Sequence, residues 1–542
     1  MNILKKHYKY LFSLVLGLAA YIFWSVPFRS MLSYHEQLQL FQTDAEYFCN
    51  KMSQPGGLTD YVSEFLVQFY YYPQIGAAIV AVLLVVVQLL SWLLVKRHCD
   101  HKMGFALSFL PALMLWMQMG DPSILLSLTV ATAFVLLAAL VCPYILLIPL
   151  VYYLFGTAVY AFAIFICVNC ISKRKYLYAG AVFLVTLVSL LVSGRIVCVE
   201  WIRIFVGLNY FRYPLSVPVM MLAPAFVAVL LPFVMAYVGK IKFVANNDNA
   251  KLMLPTLLAT CLAVLPFWSI YFDKEVTDAI EYDYLVRIGN WTKIVDRAEK
   301  ETPQSPMSVV CLNFALQRTG QLPYRMFDFF QNGSEGLIQP LNKDPFTPVP
   351  TAETLLCMGM VNLAQEYFFE AQEAIPNYNK SARLTRRLAE TNLVNGQYKV
   401  AKRYLTLLKK TLFYRSWAEE TEALLYNEKK INEHPLYGKL RKKNYTEDFL
   451  ISTDEMEKMI GRLLMKDKTN QMAYEYLMAY SLLNRDLTHF YDYFQLGKDM
   501  GYPTPPVIYE QTHAFLQAQR TNNQNIANQF MNTPTWRYLL GK

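Results

Sequence analysis

Residues 124–172, ILLSLTVATAFVLLAALVCPYILLIPLVYYLFGTAVYAFAIFICVNCIS, contain no Asp, Glu, Lys or Arg. A helix of roughly 20 apolar residues already crosses a bilayer, so this stretch belongs in a membrane and is too long for one crossing. Pro143, Pro149 and Gly156 divide it, giving either one long helix plus a re-entrant piece or three short helices. The Lys173-Arg174-Lys175 run that follows favours an odd number of crossings. An even number would leave those cations on the wrong face.

Comparable apolar runs lie at 10–28, 74–95, 104–118, 176–193, 215–238 and 252–271, which predicts seven to nine passes in all. The run at 10–28 follows Lys5, Lys6 and Lys9 and lacks a small-residue cleavage site, so it reads as a retained first helix. The whole chain has 542 residues, 55% hydrophobic and only 17% charged, which is wrong for a soluble protein of that size. One set of connections carries Lys5, Lys6, Lys9, Lys96, Arg97, Lys102, Lys173, Arg174, Lys175, Lys240, Lys242 and Lys251. The other carries Arg29, Lys51, Arg195, Arg203 and Arg212. The first set is cytoplasmic by the positive-inside rule, which puts the N-terminus inside and everything beyond residue 272 outside. The expected location is the cytoplasmic (inner) membrane, with the C-terminal half periplasmic in a Gram-negative cell. Residues 1–271 hold 17 Lys+Arg against 9 Asp+Glu, and residues 272–542 hold 33 against 32. The excess charge therefore follows membrane topology. No concentrated basic face is offered to a nucleic acid.

The expected fold class is all-α, a transmembrane helix bundle over 1–272 followed by a soluble helical domain over 273–542. In the second half, residues 382–413 (ARLTRRLAETNLVNGQYKVAKRYLTLLKKTLF) read as a helical hairpin. Leu388, Ala389 and Asn392 fall on one inner face, Gly396 makes the turn, and Tyr398, Ala401 and Leu405 line the next helix. This small-and-large alternation resembles a tetratricopeptide repeat. Echoes occur at Gly289, Trp291, Ile294 and Ala298 and over 471–491, and the Pro- and Gly-rich segment 323–352 interrupts the array. Such hairpins must stack to bury their faces. They imply either a concave surface for a protein partner or a spacer or lid over the membrane half. The glycosylation-type sites at Asn290, Asn332, Asn379 and Asn444 matter only in a eukaryotic source.

The first outer loop, residues 31–72, is far longer than the other membrane loops. Tyr61, Val62, Phe65, Leu66 and Phe69 recur at helical spacing with Asp60, Ser63, Glu64 and Gln68 opposite, which predicts an amphipathic helix suited to lie in the interface. Leu38, Phe41, Ala45 and Phe48 predict a second one. Tyr34-His35-Glu36 opens the loop, Asp44 and Glu46 follow, and Gly120-Asp121-Pro122 places another acid on the same face. A later outer loop adds Arg195, Glu200, Arg203 and Arg212 among Trp201, Tyr210, Phe211 and Tyr213. A carboxylate can deprotonate an acceptor hydroxyl, and arginine holds a phosphate or diphosphate leaving group bidentately.

In this layout, residues 1–240 resemble the GT-C superfamily of membrane glycosyltransferases. The resemblance implies Glu36 as catalytic base, Asp121 as a second acid for acceptor or metal, and Arg195, Arg203 and Arg212 as phosphate ligands, with His35, Asp44, Glu46 and Glu200 in support. It implies a lipid-phosphate-linked sugar as donor and leaves a divalent cation as the cofactor to test for. The sequence departs from that family in carrying His35-Glu36 where the usual first-loop acid is an Asp. The whole chain also resembles an uncharacterised bacterial family of multi-pass proteins ending in tetratricopeptide-like repeats, on Asp283-Tyr284 to Trp291, Asn313 to Gly320, Gly396 to Ala401 and Ala473-Tyr474-Glu475-Tyr476. Two functions follow: an outer-leaflet transferase, or a non-catalytic envelope scaffold that binds proteins on its repeats. Cys167 and Cys170 match a CxxC but sit in an apolar helix, where small core residues are expected. His98 and His101 fall in a charged turn.

Overall fold

A computed structural model of the chain describes residues 2–197, 200–207, 210–212, 217–240, 250–445, 455–497, 500, 502, 504–521 and 524–541; Tyr213 and Lys242 lie outside the described residues. The chain divides into two compact units. One takes in residues 1–274 with the short segments 376–379 and 410–413, and the other takes the remainder. Both are helical. Among the described residues, β-structure is limited to one isolated antiparallel bridge between Ile124 and Phe211.

The first unit contains α1 (Asn2–Ser25), α2 (Arg29–Gln37), α3 (Ala45–Met52), α4 (Gly57–Val67), α5 (Pro73–Lys96), α6 (Lys102–Leu107), α7 (Phe109–Gln118), α8 (Leu126–Val141), α9 (Ile148–Phe155), α10 (Val159–Ser172), α11 (Tyr176–Ile196), α12 (Trp201–Val206), α13 (Ala223–Val238) and α14 (Ala250–Val264). Among the described residues, five segments are long and apolar enough to cross a membrane: 8–25, 73–96, 145–172, 176–196 and 252–271, with α8 and α13 as shorter apolar helices. Side chains are distributed as lipid demands. Leu14, Leu18, Val82, Leu177 and Phe183 are exposed, while Gln88 and Ser108 are fully buried. In hydrocarbon a polar side chain gains by pointing inward to a partner. The Ser13 hydroxyl donates to Gln88 Oε1 at 2.6 Å, and Gln88 Nε2 donates to Ser108 Oγ at 2.9 Å. This relay ties α1 and α5 to the α6–α7 junction.

The apolar block 124–172 folds as three helices, broken after Val141 and at Gly156. Gly156 adopts φ +70°, and a Cβ there would lie 3.0 Å from the Tyr210 hydroxyl oxygen, so the position requires glycine. The break frees backbone groups that must find partners outside the helix. They are stitched by distant residues: the Tyr210 hydroxyl donates to the Phe155 carbonyl and accepts the Ala158 N–H at 3.0 Å. The Gly56 N–H donates to the Tyr153 carbonyl at 2.8 Å. Irregular backbone at membrane depth is tolerated only when protein satisfies it in this way.

In the second unit, helix pairs close through one repeated device. Helices Lys274–Arg287, Pro306–Arg318, Pro348–Met358 and Ala382–Val394 are followed by Gly289, Gly320, Gly359 and Gly396, all in the left-handed region. At Gly396 its N–H donates to the Leu393 carbonyl (3.1 Å), and the Gln397 N–H to the Asn392 carbonyl (2.8 Å). This is the Schellman pattern, which satisfies the last carbonyls of the helix. Gly320 and Gln321 repeat it toward Gln317 and Leu316, and Gly289 and Asn290 toward Val286 and Leu285. After helix Gln471–Leu483 the same bonds run from Arg485 and Asp486, and Arg485 takes φ +56° in the place of glycine. Asn290, Ser305, Ser381, Asn470 and Asp486 then cap the helices that follow.

This unit also buries an ionic chain. Arg383 holds Asp283 through two 2.9 Å contacts and Glu353 at 3.2 Å, Arg387 holds Glu353 at 2.8 Å and Glu390 at 2.6 Å, and Arg386 reaches Glu390 at 3.2 Å. Asp283, Glu353, Arg383 and Glu390 are all buried. The chain locks three helices from different hairpins into one register.

Candidate functional site

The first long loop does not fold as two interfacial amphipathic helices. Residues 38–43 are non-helical, and separate short helices, α2 and α3, flank them. The helix expected from Leu58 forms as α4, with its polar side turned inward. Thr59, Asp60, Ser63 and Glu64 face the protein and are buried, whereas Phe65 on the apolar side is 43% exposed. The reason is pairing: Lys51 Nζ of α3 sits 2.9 Å from Asp60 and 2.7 Å from Glu64, and the Tyr47 hydroxyl donates to Glu64. Buried carboxylates with such partners can occupy the inside and leave the apolar side outward.

Three segments distant in sequence converge near α2. The stretch 210–212 is laced antiparallel to 123–125: Leu125 N–H donates to the Tyr210 carbonyl and Arg212 N–H to the Ser123 carbonyl, both at 2.9 Å. Tyr210 is anchored by its hydroxyl in the Gly156 break, so the break fixes where Arg212 begins. The Arg212 side chain is buried; its Nε donates to the Pro122 carbonyl at 3.1 Å, a terminal nitrogen lies 3.2 Å from His35 Nδ1, and the guanidinium sits 5.5 Å from the Tyr34 ring centre. Asp121 turns its Oδ1 to the Ser123 N–H at 2.8 Å and acts electrostatically on Arg212. Arg212 thereby joins the helix that carries Glu36 to the loop that carries Asp121.

The charge state follows from this geometry. A guanidinium only donates, so His35 Nδ1 must be the lone-pair nitrogen and the proton lies on Nε2. Burial, reinforced by the neighbouring Arg212 charge, lowers the His35 pKa to about 3, so the ring is neutral. Burial also lowers the Arg212 pKa, against the pull of Tyr34 and Asp121, and an arginine in such surroundings stays charged. The cluster is a buried cation held by a neutral imidazole, a carbonyl, an aromatic face and one nearby carboxylate.

A family model described as a family of unknown function, DUF6057, matches residues 5–536. The chain belongs to that family. No curated protein and no solved structure matches. Within this DUF6057 chain, the residues singled out by sequence separate into groups. His35, Asp121 and Arg212 come together, and Glu36 is buried on the same short helix as His35. Asp44 instead caps α3 by accepting the Tyr47 N–H, and Glu46 lies exposed in its first turn. Arg195 is exposed with its guanidinium 5.9 Å from the Trp201 ring, Glu200 is the exposed residue preceding α12, and Arg203 is buried on that helix. The Arg212 cluster centres on a guanidinium and brings to it one carboxylate, Asp121, with one oxygen on the Ser123 N–H, which is a poor oxygen set for a divalent cation. In the second unit, Glu457, Asp486 and His489 bring ligand atoms within 4.8 Å of one another. Those atoms already hydrogen-bond: His489 Nδ1 lies 3.0 Å from Glu457 and 2.9 Å from Asp486, which also caps its helix. His101 Nδ1 accepts the Met103 N–H and caps α6, and Cys167 and Cys170 are half-buried free thiols. The sequence shows Tyr210 only as one of several aromatics near Arg212 and gives no sign of Ser123; their roles are set by the distant Gly156 break and the local bridge.

Proposed function

We propose that this chain is a multi-pass protein of the cytoplasmic membrane whose Arg212 cluster receives the phosphate of a lipid-phosphate-linked substrate, in the manner of a GT-C-like glycosyltransferase. The observation that carries the reading is the convergence of Arg212, His35 and Asp121 from three separate segments of the apolar unit. A fixed cation beside a carboxylate is the pairing that group transfer from a lipid phosphate needs: Arg212 would neutralise the leaving group, and Glu36 or Asp121 would accept the acceptor's proton. Charge bias of the connections supports an extracytoplasmic position for the cluster and for the helical-hairpin unit. Glu36→Gln and Asp121→Asn should each lower function in a deletion-complementation assay by about 100-fold, typical for a general base or an electrostatic partner. Undiminished activity in both variants would overturn the transferase reading.

A second reading rests on the repeated Gly turns. The Schellman-closed hairpins support a tetratricopeptide-like stack that binds a protein partner, with the membrane unit as its anchor. Deletion of 275–542 should then abolish partner co-purification, and unchanged recovery would refute it.

A further inference from the structure

A second buried polar group lies outside the Arg212 cluster, where α3 meets α4. Asp60 and Glu64 stand one turn apart on α4, and both take the same ammonium, Lys51 Nζ, at 2.9 and 2.7 Å. The Tyr47 hydroxyl, also on α3, donates to the second oxygen of Glu64. Asp60 and Glu64 are nearly solvent-free. One cation cannot neutralise two buried carboxylates, so the group carries an uncompensated negative charge unless it also holds a proton. The helices on the other sides of α4 offer no relief. α8 and α9 contain no Asp, Glu, Lys, Arg or His, the 68–71 turn and α9 contribute only the phenols Tyr70, Tyr71, Tyr152 and Tyr153, and Tyr61 lies on α4 itself. The one charged residue of α5 is its last, Lys96.

α3 is held at its two ends, by Lys410 on Asp44 and by the Tyr153 hydroxyl donating to the Met52 carbonyl, but its flank on α4 is thin. None of its residues is buried, and its apolar contacts to α4 are ring edges such as Phe48 on Tyr61 at 5.0 Å. Lys51 and Tyr47 therefore carry much of the α3–α4 joint.

We propose that this joint is a proton-binding latch: Glu64 holds a proton when α3 is closed on α4, and loss of that proton loosens α3. Burial, then the neighbouring Asp60 charge, raises the Glu64 carboxyl from its ordinary 4.5 to about 7, against the pull of Lys51 and Tyr47. Any opening of α3 that hydrates Glu64 returns it toward the ordinary value and releases the proton. Closure is then favoured at low pH and is lost as pH rises from about 4.5 through about 7.

The test is hydrogen exchange across residues 45–52, corrected for intrinsic rates, on the full chain in nanodiscs between pH 5.5 and 8.5. Opening of this segment should increase about thirtyfold across the range, since about 1.5 units of the differential titration between 4.5 and 7 fall inside it and each is worth a factor of ten. In Glu64→Gln the dependence should vanish. In Asp60→Asn, which keeps Glu64 but removes its like-charged neighbour, the midpoint should move to lower pH. A flat profile in the unaltered protein, an unchanged slope in Glu64→Gln, or an unmoved midpoint in Asp60→Asn would each overturn the latch.

Discussion

The two units solve one problem, how to end a helix, in opposite ways. In the second unit a helix ends at a glycine in the left-handed region, and the last carbonyls are satisfied by the next two N–H groups of the same turn. In the first unit the break at Gly156 is closed by Tyr210 and Gly56, 54 and 100 positions away in sequence. The second unit closes its turns within the turn itself, whereas the break in the first is closed by partners recruited from elsewhere in the chain. The difference teaches that the membrane unit keeps its candidate site in place through the devices that repair its own irregularities. Tyr210 repairs the Gly156 break and, two residues on, Arg212 enters the cluster.

The largest effect expected from breaking this comparison lies in the second unit. Arg383→Ala leaves the buried Asp283 without its cation and Glu353 with Arg387 alone, a loss of about 3–5 kcal/mol. Differential scanning calorimetry of the full chain should show one transition falling by about 10 °C. Tyr210→Phe comes next. It deletes the hydroxyl that serves both the Phe155 carbonyl and the Ala158 N–H, at about 1–3 kcal/mol. Amide exchange should rise at 155–158 and 210–212 together, because the two are one construction. Exchange confined to 155–158 would separate the break from the cluster.

Glycine substitutions sharpen the local half of the comparison at about 1–2 kcal/mol each. Gly396→Ala should destabilise the second unit by that amount. Arg485→Gly should recover part of it, less whatever the Arg485 guanidinium gains 5.2 Å from the Tyr538 ring. Equal and negligible shifts for both would mean that the five turns are not equivalent.

The smallest net effect comes from pH. His35, with its pKa depressed from 6.5 to about 3, contributes stability that is present above pH 6.5 and lost as pH falls toward 3. Glu64, raised to about 7, contributes stability that is lost as pH rises from 4.5 through 7. Between pH 4.5 and 6.5 the two slopes oppose, so the melting temperature of the first unit should change little there. His35→Gln should expose the Glu64 slope and Glu64→Gln the His35 slope, both readable by thermal melts against pH.

What was legible in the sequence follows the same division. Gly396 could be read because the hydrogen bonds of its turn close within a few residues. The apolar runs could be read because lipid imposes length and composition. The face of α4 could not. Period alone shows that one side is apolar, and in a membrane protein either side can turn inward once Asp60 and Glu64 have Lys51 to meet them. The helix expected across Leu38 to Phe48 failed for a related reason: Leu38 and Phe41 are buried in an irregular segment, and Asp44 starts a new helix by capping it. His35 and Asp121 could be proposed from residue type, but their meeting with Arg212 could not, because the contact spans 177 residues and depends on Tyr210.

The central proposal is that Arg212 reads a lipid phosphate, and binding to the full chain in nanodiscs tests it most directly. A polyprenyl phosphate should bind at least about tenfold more tightly than the same polyprenol without phosphate, as expected for a charge-assisted pair worth 1.5–3 kcal/mol, and Arg212→Gln should erase the difference. Equal affinity of the unaltered protein for the two lipids would contradict it.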